Sequence, residues 1–274
     1  MSTIEDIPPD LWEECPGCHQ LLYAKELASD LWVCGKCGQH MRLSVWQRLD
    51  ITVDPGSFEE TDADLPLVDP LGFPEYAEKL QQAQQRTQMN EAVLTGTATL
   101  HGLPVGLGLM DLAFIGGSMG WVVGEKIARL MERCAAESCP ALVFCASGGA
   151  RMQESLVSLM QMPKTAGAVG RLHQAGLPYL SVLTDPTYGG VTASFAFLGD
   201  IIIAERGAAM GFAGPRVIEV TKMNLRPGVQ TAEFQYEHGM IDLLVERKDL
   251  RELLGDLLEW FRRESPAAVA AAQG

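Results

Sequence analysis

An α/β domain preceded by a small four-cysteine zinc ribbon is the fold class this sequence predicts, and three observations predict it. Residues Glu14–Gln39 carry the spacing C-x2-C-x15-C-x2-C, which suits two knuckles closing on one metal ion. From Ala92 onward, short β-branched runs alternate with longer segments of helical period, the pattern of an α/β unit. Two apolar stretches, Ala141–Gln153 (ALVFCASGGARMQ) and Tyr179–Ala196 (YLSVLTDPTYGGVTASFA), each pass through a Gly-Gly pair into a helix-like segment. A glycine pair between strand and helix can present backbone N–H groups to an anionic oxygen without obstruction by side chains.

Composition sets the outer bounds. At 274 residues and 47% hydrophobic content, the chain supplies one substantial core with a small appended module, and reads as a soluble globular protein. The opening MSTIEDIPPD lacks the basic and apolar regions of a secretory signal, and the apolar stretch Val191–Ala204 is broken by Gly199 and Asp200. A cytoplasmic protein with no membrane span is therefore expected. A net charge of −14 argues against a phosphate backbone as main partner. Seven cysteines, an odd number, fit a reducing compartment better than a disulfide framework.

In chain order, the ribbon occupies residues 11–45. Its candidate ligands are Cys15, Cys18, Cys34 and Cys37, with glycines beside both pairs. Four thiolates would close a tetrahedral shell around zinc, with no open position for chemistry; an iron site of rubredoxin type has the same ligands. His19 and His40 flank the knuckles as surface residues. Lys25, Lys36, Arg42 and Arg48 are opposed by Glu13, Glu14 and Glu26, a poor face for nucleic acid.

Residues 46–91 read as a connector that wraps onto the core, with a helix over Tyr76–Thr87. The main domain, 92–264, begins with strands Ala92–Leu100 and Val105–Phe114 around the turn His101–Pro104. Gly116-Gly117-Ser118 opens a helix reaching about Ala136, and a buried strand follows at Ala141–Cys145. After Ser147–Ala150, Met152, Leu156, Leu159 and Met160 fall on one side of a helix and are expected to pack. Pro163 should break that helix nearby. Strand Tyr179–Thr184, the loop Asp185–Tyr188 and a helix Val191–Leu198 repeat the cycle. Short strands Ile201–Ala204 and Ala208–Phe212, the turn Gly214-Pro215 and helical segments to Arg263 complete it. The Ala-rich end, 265–274, reads as a disordered tail.

The chemistry is unusual in what surrounds the glycine turns. Ser147 is not in a G-x-S-x-G elbow, because Cys145 holds the first glycine position. Cys145 ends a buried strand, where thiols are inert. His173 and His238 have structural settings. Arg151 has two readings of equal weight: a helix-start partner of Glu154, or a cation for a substrate phosphate or carboxylate. Nothing resembles a phosphate-cradling GxxxxGK[ST] or a Met-Lys-Met biotin site. Backbone donors without an obvious acid or base suit a reaction whose reactants supply the proton acceptor, each donor contributing about 3 kcal/mol to an oxyanion.

The four-cysteine ribbon together with MDLAFIGGSMGWVVGEK, ASGGARMQESLVSLMQM, PYLSVLTDPTYGGVTASFAFLGDIIIAE, GFAGPRVIE and EHGMID resembles the carboxyltransferase beta subunits of bacterial acetyl-CoA carboxylases, over roughly Leu11 to Glu259. The resemblance implies a crotonase-like spiral of ββα units and a partner alpha subunit in an α2β2 assembly. It implies work with a biotin carboxyl carrier protein and a biotin carboxylase component. In that family a carboxyl group carried on biotin passes to acetyl-CoA, giving malonyl-CoA, and the cofactor takes the proton. Carried over by residue, Gly189 and Gly190 fall on the pair facing the reacting oxygen, and Gly148 and Gly149 on the neighbouring turn. Tyr188, Arg151, Gly116 and Gly117 are expected to line the substrate.

Tyr188 stands where the family usually has Met, Pro163 where it usually has Ala, and Thr221–Thr231 differs from the common segment. These departures leave open a specialised or inhibitor-resistant copy, with altered acyl preference or decarboxylating use. A zinc-ribbon RNA-binding or scaffold protein is the reading from another class.

Overall fold

The computed structural model describes residues 11–263; the tail expected at 265–274 lies outside them. The ribbon is a hairpin of β1 (Trp12–Glu14) and β2 (Leu21–Tyr23), then α1 (Ala24–Ser29) and a knuckle closed by a Val33–His40 bridge. Residues 45–91 add three elements that lie against the core. α2 (Val45–Thr52) starts at a capping box in which Ser44 and Gln47 satisfy each other's backbone N–H groups. β3 (Glu59–Glu60) pairs with β4 (Val93–Leu100). α3 (Tyr76–Thr87) buries Tyr76, Leu80, Ala83 and Thr87, a spacing that keeps one stripe on the core.

β4 and β5 (Leu103–Met110) form a hairpin whose turn is the two residues His101 and Gly102, both at positive φ. Leu103 and Pro104, expected in the turn, belong to the strand, since a two-residue turn with positive φ matches the twist of paired strands. α4 (Trp121–Glu137), β6 (Ala141–Ser147), α5 (Ser155–Leu159), α6 (Gln161–Gln174) and β7 (Tyr179–Tyr188) follow. The chain then runs through α7 (Gly189–Thr192), β8 (Ile201–Glu205), β9 (Met210–Gly211), α8 (Pro215–Thr221), α9 (Ala232–Glu237), β10 (Leu243–Val245) and α10 (Arg247–Arg263).

One eight-stranded sheet orders these strands β10-β8-β7-β6-β5-β4-β3, with β9 also on β7. β5 through β8 and β10 run parallel, while β3, β4 and β5 alternate. β6 buries Ala141 to Cys145 and β7 buries Tyr179 to Leu183, as strands covered on both faces must. α4 packs on α6.

Three differences from the expected elements have local causes. Pro163 sits in the first turn of α6, where its missing N–H has no partner to lose, and the break falls one turn earlier, at Met160. β7 runs on through the expected loop Asp185–Tyr188, because β9 pairs with Thr187 and Tyr188. The helix expected over Val191–Leu198 is only the single turn of α7 and a 3-10 turn at Phe195–Phe197. Within it, Ser194 turns its hydroxyl back onto the Gly190 carbonyl at 2.6 Å, a bond that competes with helix continuation.

Candidate functional site

The site forms where β6 and β7 end side by side, with Ser147 paired to Thr187 across a bulge. The Thr184 and Thr187 hydroxyls both donate to the Cys145 carbonyl at 2.8 Å, stitching that irregular stretch together. Each strand then enters its glycine turn. The two turns, about forty residues apart in sequence, meet. A Cβ on Gly149, whose φ is +116, would lie 3.2 Å from the Gly189 Cα and 3.4 Å from the Gly190 nitrogen. A Cβ on Gly189, at φ +60, would lie 3.1 Å from the Gly149 Cα. Both positions therefore need glycine twice over, for conformation and for contact.

The turns differ in what their amides do. Gly148 donates its N–H to the Gly116 carbonyl at 2.8 Å, and Gly149 donates to the Ser147 hydroxyl at 3.0 Å. Both are spent on holding the turn, which corrects the expectation that this pair also offers free donors. Gly189 and Gly190 open α7, so their N–H groups have no acceptor within that helix, and Tyr188 as N-cap contributes no side-chain bond. Ser147 is fully buried with its hydroxyl on the Gly149 amide, a setting without access for a nucleophile. The third turn braces the others: Gly117 donates to the Phe114 carbonyl at 2.9 Å, and a Cβ on it would meet the Ala146 carbonyl oxygen at 2.1 Å.

Arg151 is buried and spends all five N–H donors inside the chain. Nε bonds the Ser118 hydroxyl at 3.1 Å; Nη1 bonds the Tyr76 hydroxyl at 3.0 Å and Glu91 at 2.7 Å; Nη2 bonds Glu91 at 2.6 Å and the Ser118 carbonyl at 2.7 Å. This geometry corrects the substrate-cation reading: a guanidinium with no remaining donor ties the 116–118 and 148–151 turns together. Glu154, the partner weighed from sequence, is 3.5 Å away and caps α4 through the Trp121 N–H. Glu91 is the bidentate partner, and a separation of sixty residues leaves no local signal for it.

Tyr188 is buried, with its ring beside Gly214. Burial, then the Asp185 carboxylate, raises its phenol above the ordinary range, against the opposing Arg42. Asp111 accepts the Val45 and Ala113 N–H groups at 3.0 and 2.7 Å, a structural task. The Cys145 thiol is fully buried and pushed up to about 12 by burial, in keeping with an inert core residue. His173 lies 3.2 Å from Asp200, and His238 bonds the Phe234 carbonyl.

The apolar stripe after the first turn is a correction of another kind. Met152 is 80% exposed, and Leu156, Leu159 and Met160, also expected to pack, face outward; Met162, in the first turn of α6, rests against the core. Phe212 at 75% and Val220 at 82%, with Val217 and Met223, expose a second apolar set, and the Phe212 backbone adjoins Gly189. Patches of this kind mark interaction surfaces.

In the ribbon, the sulfurs of Cys15, Cys18, Cys34 and Cys37 lie within 4.8 Å of one another, with Cys15–Cys37 at 3.6 Å and Cys18–Cys34 at 3.8 Å. Four bonds of about 2.3 Å in a tetrahedron require sulfur separations of about 3.8 Å, so the thiols fit zinc. The module is latched to the core by Arg247, which bonds the Leu31 and Trp32 carbonyls and grips Glu205 bidentately. Burial would raise the Glu205 carboxyl, but Arg48, His40 and Arg247 hold it well below the ordinary range; His40, expected at the surface, is buried beside it. Among the described residues, no helix is long and apolar enough to cross a membrane.

Comparison with known proteins gives a consistent picture. The family model described as carboxyl transferase domain matches residues 39–247. The acetyl-coenzyme A carboxylase carboxyl transferase subunit beta of Desulforamulus reducens is 55% identical over 92% of this chain and 88% of its own. That of Desulfitobacterium hafniense is 52% identical over 94% and 86%. Among solved structures, transcarboxylase 12S with methylmalonyl-coenzyme A and methylmalonic acid bound superposes with a TM-score of 0.65 at 28% identity, covering 79% of this chain and 41% of that one.

Proposed function

The chain belongs to the carboxyl transferase family, and from that premise we propose that it is the beta subunit of an acetyl-CoA carboxylase, moving a carboxyl group from carboxybiotin on a carrier protein to acetyl-CoA to give malonyl-CoA. Its fold is the crotonase-like α/β spiral of that family. The observation that carries the site assignment is the contact between the Gly149 and Gly189 turns.

In this reading the Gly189 and Gly190 amides face the substrate oxygen on which negative charge develops, each contributing about 3 kcal/mol. Gly148 and Gly149 set the position of that turn, Gly116 and Gly117 brace it, and the Tyr188 ring bounds the space beside it. The buried Arg151–Glu91 pair keeps the frame from relaxing. Such rigidity is what lets donors act without reorganising as charge appears. Biotin, when bound, supplies the transferable carboxyl group and the proton acceptor. Zinc, held by Cys15, Cys18, Cys34 and Cys37, keeps the ribbon folded and has no open position.

Partners follow from chemistry and surface. The apolar faces around Met152–Met160 and Phe212–Met223 suit the alpha subunit in an α2β2 complex, and a biotin carboxyl carrier protein and biotin carboxylase component complete the reaction in the cytoplasm. The chain paired with an alpha subunit should carry out malonyl-CoA-dependent carboxylation of free biotin. A folded, zinc-loaded pair that transfers nothing would overturn the assignment.

A further inference from the structure

Arg42, five residues past the last ribbon cysteine, donates from Nε to Oδ2 of Asp185 at 2.9 Å. The other carboxylate oxygen of Asp185 accepts the Ala209 N–H at 3.0 Å. Ala209 in turn accepts the Thr187 N–H at 2.9 Å and leads directly into β9, which pairs with Thr187 and Tyr188. One carboxylate is thus shared between the ribbon exit and the strand that holds the last two residues before Gly189. The latch at Arg247 already fastens the ribbon to β8 and α10 through buried groups. Arg42 is a second fastening, on the strand that ends in the glycine turn.

We propose that Arg42 and Asp185 are positioning residues for carboxyl transfer, clamping the docked ribbon to β7 and β9 so that the Gly189–Gly190 amides are held in register. The inference rests on the reading of that turn as the oxyanion site. It gives the ribbon a task beyond covering the core: docking completes the support of the turn. Tyr188 belongs to the same cluster, since its phenol feels both the Asp185 and Arg42 charges. The Arg42 side chain is 59% exposed, so solvent screens the pair and the expected effects are modest.

The test uses the full chain paired with its alpha subunit and reads kcat and KM for malonyl-CoA in the biotin carboxylation assay. It also reads zinc content and hydrogen exchange over residues 186–192. Arg42→Gln and Asp185→Asn should each lower kcat about 3–10-fold with KM within about twofold, because small displacements of a positioned group act on the transition state. Asp185→Ala, which also removes the acceptor for the Ala209 N–H, should cost more than Asp185→Asn. Arg42→Lys should recover part of the loss. The Arg42→Gln, Asp185→Asn double variant should be no slower than the worse single, the signature of one interaction. Exchange over 186–192 should quicken in the single variants while zinc stays stoichiometric.

Unchanged kcat, additive losses, or losses that follow zinc release would each overturn the proposal. A wild-type complex without transfer activity would instead remove the oxyanion reading; unchanged exchange over 186–192 in Arg42→Gln would then overturn the clamp by itself.

Discussion

Gly149→Ala tests the packing of the two glycine turns most sharply. The native φ of +116 is one that L side chains rarely adopt, and forcing alanine there costs about 1–3 kcal/mol. The added methyl would stand 3.2 Å from the Gly189 Cα and 3.4 Å from the Gly190 nitrogen, against an optimum of about 3.5–4.0 Å between carbons. The relief has to come from a shift of a few tenths of an ångström, directed at the turn assigned to oxyanion binding. Outright loss of one such donor costs about 10²–10³ in kcat; displacement short of loss should cost about 10–100-fold. The assay is malonyl-CoA-dependent carboxylation of biotin by the alpha-paired chain, with a melting curve alongside. The expected result is that kcat loss with KM little changed, and a Tm lower by about 2–12 °C at about 2–4 °C per kcal/mol. A variant within twofold of wild type in kcat would refute the packing argument. Gly167→Ala is the control: it lies inside α6 with nothing within 4 Å of an added Cβ, and should stabilise by about 0.5–1 kcal/mol at unchanged kcat.

Arg151→Met should destabilise by about 3–5 kcal/mol, since it leaves Glu91 buried without its partner; denaturant unfolding reads this, and KM for the acyl-CoA should be unchanged in the folded fraction, whereas a substrate cation would raise it. Glu205 has a folded pKa below the ordinary 4.5, so its stabilisation is complete above that value and is lost as pH falls through the folded pKa. Urea unfolding of Glu205→Gln between pH 7 and 3 should therefore show a shallower acid loss than wild type, on a lower starting stability. Leu156→Asp, on the exposed face of α5, should weaken alpha-subunit association more than tenfold by sedimentation, with the Tm of the isolated chain nearly unchanged.

Local patterns were enough to find the elements whose signals are local. The helix over Tyr76–Thr87 shows its apolar stripe at the expected spacing, the four-cysteine spacing gave sulfurs that fit one ion, and both Gly-Gly turns sit at strand ends. What escaped is set by contacts far apart in sequence. Nothing in ALVFCASGGARMQ says that Gly149 will touch Gly189, that the amides of the first turn are spent on Gly116 and Ser147, or that Arg151 will pair with Glu91. The same limit explains the end of β7, where β9 arrives to pair with Thr187 and Tyr188. The exposure of the stripe Met152–Met160 departs from expectation for a different reason. Its period reports an apolar face, but burial by this chain or by another produces the same period.

The most direct test of the carboxyl-transfer site is the rate of malonyl-CoA-dependent biotin carboxylation by the alpha-paired Gly190→Val chain, with zinc measured in the same preparation. A Cβ at 190 would press on the Ala150 Cβ and the Met162 sulfur, each at 3.2 Å, and a β-branched side chain adds bulk at the assigned donor. The expected result is turnover abolished with zinc stoichiometric and the complex intact. Wild-type turnover in that complex would contradict the assignment of this turn.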